Sequence, residues 1–333
     1  GANYVTTSAS NQTVSGNQTT SYPISIVERA RLTLGQSSLS LSAVQGGSAS
    51  QSLSVGNAGG QALSAAVSVA PADYAADSSD SAGGPAYAWT EINTLGTRRA
   101  LGDDACLVVT LPQAFTFYGA SYTSLGLHSN GFLSMGSANC SSSDSTSGNP
   151  SMPSAVTPNA LIAAFWDDLD PSATSGSNGV FTYHDAANGR FIVEFKNVPH
   201  WASSGSVNPE TFQFVLSYAS GDVTLHYQTV AASASATAGI ENSAGTGGVL
   251  WTYNTAGRLR SGLAVRFQYY GTGAGWLSFA PANPSVAARS SAAVQVTASS
   301  GSLAKGRYRA RLKIDAGSAL NPVQYVPVTF DIQ

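Results

Sequence analysis

Three aspartates, Asp167, Asp168 and Asp170, follow Trp166 and lead into a Ser/Gly/Asn loop that contains Asn178. A hard cation such as Ca²⁺ takes about six to eight oxygen ligands, and alternate residues of an extended strand face one side. On that geometry Asp168 and Asp170 would present their oxygens together, which makes calcium the one cofactor the sequence suggests, though none is required. The spacing is not that of an EF-hand, and the loop lacks its terminal Glu. A structural role competes: the aspartates would end the strand and accept backbone N–H bonds in an Asx turn, with Trp166 packed beneath.

Catalysis needs a nucleophile with a base, or a metal, at workable spacing. The chain has no Gly-x-Ser-x-Gly elbow, His-Glu-x-x-His pair, P-loop or Gly-x-Gly-x-x-Gly turn. Its four histidines, His128, His184, His200 and His226, sit in strand or turn contexts. Asp168 with Glu194 or Glu210 is the pair that glycoside hydrolysis would have to use, but the expectation is a protein without catalytic residues. Aromatic rings can instead stack on a sugar or peptide. Trp201, beside the Pro199-His200 bend, together with His200 and Tyr87, forms the candidate ligand-binding set, whereas Trp89 and Trp251 are expected inside the core.

These side chains must be carried by strands. Of 333 residues, 10% are charged and 43% hydrophobic, with 34 Gly and 14 Pro to form turns; soluble domains average about 25% charged. Alternation is plain in Cys106–Leu111, Arg190–Phe195, Phe212–Leu216 and Val223–Tyr227, and no helical period is sustained. The fold class is therefore all-β. A net charge of −3 with no basic cluster argues against nucleic acid. No apolar run approaches the roughly 18–20 residues of a membrane helix, and Gly1–Thr7 has no signal-peptide pattern, so membrane insertion is not expected. Cys106 and Cys140 are expected to form a disulfide, which together with the Ser/Thr/Gly bias suits an extracellular or cell-surface setting.

Texture divides the chain. Residues 1–31 read as a polar extension or donor strand, in which Ile24, Ile26 and Val27 could be added to a neighbouring copy. Residues 32–70 and 271–333 share short alternating segments, 71–86 reads as a linker, and 87–270 is a denser block of about ten strands. The architecture is thus two nested β-sandwiches, an immunoglobulin-like one interrupted by a larger inserted one.

Two resemblances sharpen this reading. Gly46–Ser50, Val55–Gly60, Gly275–Phe279, Gly306–Tyr308 and Val326–Thr329 resemble a bacterial immunoglobulin-like domain of the BACON type, split in two. Phe115–Gly119, Ser129–Leu133, Leu161–Asp170, Val193–His200, Thr211–Gln213 and Ala238–Asn242 resemble the NIDO-like β modules of nidogens and bacterial secreted proteins. The cysteine pair is not part of that pattern. The resemblance implies a non-catalytic extracellular adhesion, binding or accessory module, at times appended to a secreted peptidase, with a glycan or protein ligand. The alternatives are a filament subunit that self-associates by strand donation and a polysaccharide-acting enzyme.

Overall fold

The computed structural model describes residues 3–5, 16, 26–141, 147–203, 205 and 207–333, which form strands and two short 3₁₀ turns. Among these residues no helix is long and apolar enough to cross a membrane. The chain divides into two compact units, residues 1–71 with 271–333, and residues 72–270.

In the first unit, strands from both chain segments interleave. One sheet runs Leu277–Ala280, Ser291–Ser299, Ser48–Asn57, Leu32–Leu34, and the other Leu39–Ala43, Val323–Ile332, Gly306–Asp315, Ala66–Val69. Alternation sends Leu39 and Leu41, Leu53 and Val55, Val294 and Val296, and Val326, Val328 and Phe330 into one core, where Trp276 stacks on Phe330. Neither segment could bury these side chains alone. Of the candidate donor residues, Ile24 lies outside the described residues, while Ile26 and Val27 are exposed. Val27 pairs with Val5 in a two-stranded ribbon.

Among the described residues the second unit has thirteen strands: β1 (Asp73–Ser78), β2 (Thr97–Arg99), β3 (Cys106–Phe117), β4 (Ala120–His128), β5 (Phe132–Met135), β6 (Leu161–Trp166), β7 (Gly179–Asp185), β8 (Arg190–His200), β9 (Val207–Ser217), β10 (Val223–Thr229), β11 (Thr237–Glu241), β12 (Gly248–Tyr253) and β13 (Ala264–Tyr270). A six-stranded sheet has the order β3-β4-β5-β6-β11-β12, and a seven-stranded sheet β1-β13-β10-β9-β8-β7-β2. Their inward faces share an apolar core that includes Phe115, Phe117, Phe165, Phe195, Phe212 and Phe214. Face-offset contacts such as Phe195 on Phe212, 4.8 Å between centroids, add to the area buried.

Asp73–Ser78 corrects the linker reading of residues 71–86. It is the edge strand beside β13, with Tyr74 and Ser78 buried. One large apolar residue among aspartates and alanines is too faint an alternation to announce a strand. Cys106 and Cys140 form the expected disulfide, with Cα atoms 5.3 Å apart. It passes over β4 at Gly126, where a Cβ would meet Cys106 Sγ and Cys140 Cβ, both at 3.1 Å. Closing a loop with a sequence separation of 34 residues constrains the unfolded chain by about 4 kcal/mol.

Candidate functional site

β6 ends at Trp166 because the hairpin turn Ser129-Asn130-Gly131 takes hold of the chain there. The Gly131 carbonyl accepts Ala164 N–H and Phe165 N–H, and the Asn130 carbonyl accepts Asp167 N–H. The Asn130 side chain continues the grip, its Oδ1 accepting Leu169 N–H at 2.9 Å and its Nδ2 donating to Asp104 Oδ1 at 2.8 Å. Trp166 is buried below, stacked on Phe132.

From this point the aspartates diverge. Asp167 is buried; its Oδ1 accepts Asp168 N–H and its Oδ2 accepts the Ser235 hydroxyl at 2.7 Å. Asp170 caps the 3₁₀ turn Pro171–Ala173 by accepting Ser172 N–H at 3.0 Å. These are the Asx-type roles weighed against metal binding. The strand that would have aligned Asp168 with Asp170 has already ended. Asp168 instead meets Asp103 and Asp104, with one carboxylate oxygen from each lying within 4.8 Å of the others. Burial raises the Asp168 carboxyl, reinforced by the negative charges of Asp104, Asp103 and Asp167. Burial also raises Asp103, reinforced by Asp170 and Asp104. Asp103, Asp104 and Asp168 are therefore the residues that could hold a divalent cation, whose charge would relieve this repulsion.

The segment 199–201 binds the other side of the corner. Asp170 N–H donates to Pro199 O, and Trp201 N–H donates to Asp168 O at 2.8 Å. The His200 ring lies between two carboxylates, with Nε2 3.1 Å from Glu210 Oε1 and Nδ1 3.6 Å from Asp167 Oδ2. Glu210 is itself fully buried and accepts the backbone N–H groups of Ala231 and Ala232. With Nε2 bonded to Glu210 and Nδ1 facing Asp167, the half-buried His200 positions its neighbour. That neighbour, Trp201, is 49% exposed. It is the one tryptophan of five in the exposed class: Trp166 and Trp276 are buried, and Trp89 and Trp251 are half-buried. An open pocket of about 330 Å³, lined by Arg98, Arg99, Leu101, Gly102, Pro171 and Ser172, adjoins Asp103 and Asp170 in the chain.

The structure thus brings five of the six singled-out residues to one corner, Asp167, Asp168, Asp170, His200 and Trp201, and separates Tyr87. That ring lies on the outer face of the seven-stranded sheet, edge-on to His226 at 5.8 Å. Asp103, Asp104 and Asn130 were not among the site candidates. The turn Gly102-Asp103-Asp104 was the available signal, but only strand pairing places it beside Asp168.

Asn130→Ala is expected to cost about 2 kcal/mol, because it leaves the buried Leu169 N–H unpaired and frees Asp104. Urea unfolding measures the cost; a change below about 0.5 kcal/mol would show that Asn130 does not hold the corner.

A family model described as NIDO related matches residues 73–262. No curated protein matches the chain.

Proposed function

We propose that this chain, which belongs to the NIDO-related family, is a non-catalytic binding module of a secreted or surface-displayed protein, and that it recognises its ligand at the Trp201 corner. The observation that carries this reading is the presentation of Trp201: an exposed indole on a backbone fixed by Asp168 O and by the clamped His200 ring. A rigid, exposed aromatic offers a flat apolar face at little entropic cost on binding, which suits the hydrophobic face of a sugar ring. The neighbouring carboxylates would add hydrogen bonds to hydroxyls, directly or through calcium at Asp103, Asp104 and Asp168. An extracellular setting is supported by the disulfide and by low charge. The discontinuous unit would serve as the carrier, an immunoglobulin-like domain of the bacterial type.

A glycan array probed in calcium and in EDTA tests this. The expected result is a neutral-glycan ligand whose affinity falls about tenfold or more in Trp201→Ala, with thermal stability unchanged. An array without a ligand in either condition, or a ligand indifferent to Trp201→Ala, would sink the reading. Turnover of a bound polysaccharide that is lost in Asp168→Asn would replace it with an enzyme.

A further inference from the structure

Residues 84–96 have no regular structure, yet they cross the outer face of the seven-stranded sheet and end in the edge strand β2. Ile92 packs against Phe181, Ile192 and Val215 from three successive strands. Around this apolar contact the strap is held by polar ones. Gln213 Nε2 donates to Thr90 O at 2.6 Å, Arg190 donates to Thr90 Oγ1 at 3.1 Å, Ile92 N–H donates to Glu194 Oε2 at 3.3 Å, and Lys196 Nζ lies 2.6 Å from Glu91 Oε2.

Glu194 and Gln213 are both fully buried beneath the strap, bonded to each other at 2.6 Å through Glu194 Oε2 and Gln213 Nε2. Their remaining oxygens, Glu194 Oε1 and Gln213 Oε1, are buried with no hydrogen-bond partner. The carboxyl of Glu194 meets that of Glu91 on the strap. Two ionised carboxylates cannot bond to each other, whereas one proton between them makes a hydrogen bond and removes the buried charge.

We propose that residues 84–96 are a proton-dependent latch, held on the sheet while Glu91 and Glu194 share one proton and loosened when that proton leaves. Burial, together with the facing Glu91, pushes Glu194 up to about 7 against the donors Gln213 and Ile92 N–H. Against the upward push of burial, Lys196 and Glu194 draw Glu91 below the usual carboxylate range. The other titratable or charged groups on this face do not switch in the same window. Arg190 is bound to Asp185 and Thr90, and Lys196 to Glu91. Burial, with Arg190, pushes His226 down to about 4, and burial raises Tyr87, so both are neutral near pH 7. Because Glu194 titrates higher in the folded state than its ordinary 4.5, its support for the strap is complete below about pH 4.5 and is lost as pH rises through about 7.

Amide hydrogen exchange at Ile92, corrected for the intrinsic pH dependence of exchange, is the test, at pH 6 and pH 8.5. The wild-type chain is expected to lose protection there about tenfold or more at the higher pH. Glu194→Gln should abolish the loss by keeping the buried group neutral, and Glu91→Gln should reduce it by removing the facing charge while burial still raises Glu194. Should Glu194→Gln fail to fold, an undiminished loss in Glu91→Gln would overturn the latch. Equal protection at both pH values in the wild type, or a full loss in a folded Glu194→Gln, would also overturn it.

Discussion

Gly131→Ala is expected to destabilise the second unit by more than about 4 kcal/mol, beyond the usual range for one substitution. Gly131 has φ +76°, where an L side chain costs about 1–2 kcal/mol. The larger cost is the approach of another chain segment: a Cβ at Gly131 would lie 2.0 Å from Phe165 O and 2.8 Å from its carbonyl carbon. Relief would require the turn to release Ala164 N–H and Phe165 N–H, both bonded to Gly131 O, at the start of the acidic corner. Gly136→Ala separates the two costs, since Gly136 has φ +85° but its nearest neighbour would be Tyr122 at 3.6 Å. It should cost only the conformational term. Urea unfolding of both variants measures the difference, and equal losses would refute the close-approach argument.

Strand periodicity made most of this unit legible. Cys106–Leu111 and Phe212–Leu216 alternate strongly, and their inward residues, such as Val109, Leu111, Phe212 and Phe214, are core. What could not be read locally is contact between segments that share no pattern. Asp104 and Asp168 lie in separate loops, brought together by Asn130 on a third. The strap was opaque for the same reason: residues 84–96 have neither alternation nor helical period, and Ile92 gains its burial from strands about a hundred residues further on. Of the two readings of the Asp167–Asp170 segment, the turn holds: the strand ends at Trp166, where the Asn130 turn intervenes, and Asp170 caps the turn that follows. Trp201 was legible because a Pro-His bend followed by Ser and Gly leaves a large ring with little chain to cover it.

Global stability of the second unit is expected to fall by about 3 kcal/mol between pH 5 and pH 8.5, the opposite of acid-sensitive behaviour. Two fully buried carboxyls set this trend, Glu194 and Glu241, each pushed by burial up to about 7. Glu241 closes the 153–160 loop: its Oε2 accepts Ser154 N–H at 2.8 Å, and the Asn159 amide, turned with its nitrogen inward, donates to Oε1 at 3.2 Å. Each group binds its proton more tightly folded than unfolded, so each stabilises most below about pH 4.5 and ceases to do so above about 7. From pH 5 to 8.5 each loses about 2–3 kcal/mol. His226 opposes them. Its folded value, lowered to about 4 by burial, makes its contribution full above about 6.5 and lost as pH falls through about 4, which returns about 2 kcal/mol over the same interval. The sum leaves the loss near 3 kcal/mol. Urea unfolding at pH 5, 6.5 and 8.5 checks the slope, and Glu241→Gln checks its source: the variant should exceed the wild type by about 3 kcal/mol at pH 8.5 and match it near pH 4.5. A wild-type chain equally stable at pH 5 and 8.5, or a Glu241→Gln gain that does not depend on pH, would mean that these carboxyls are not held neutral by the fold.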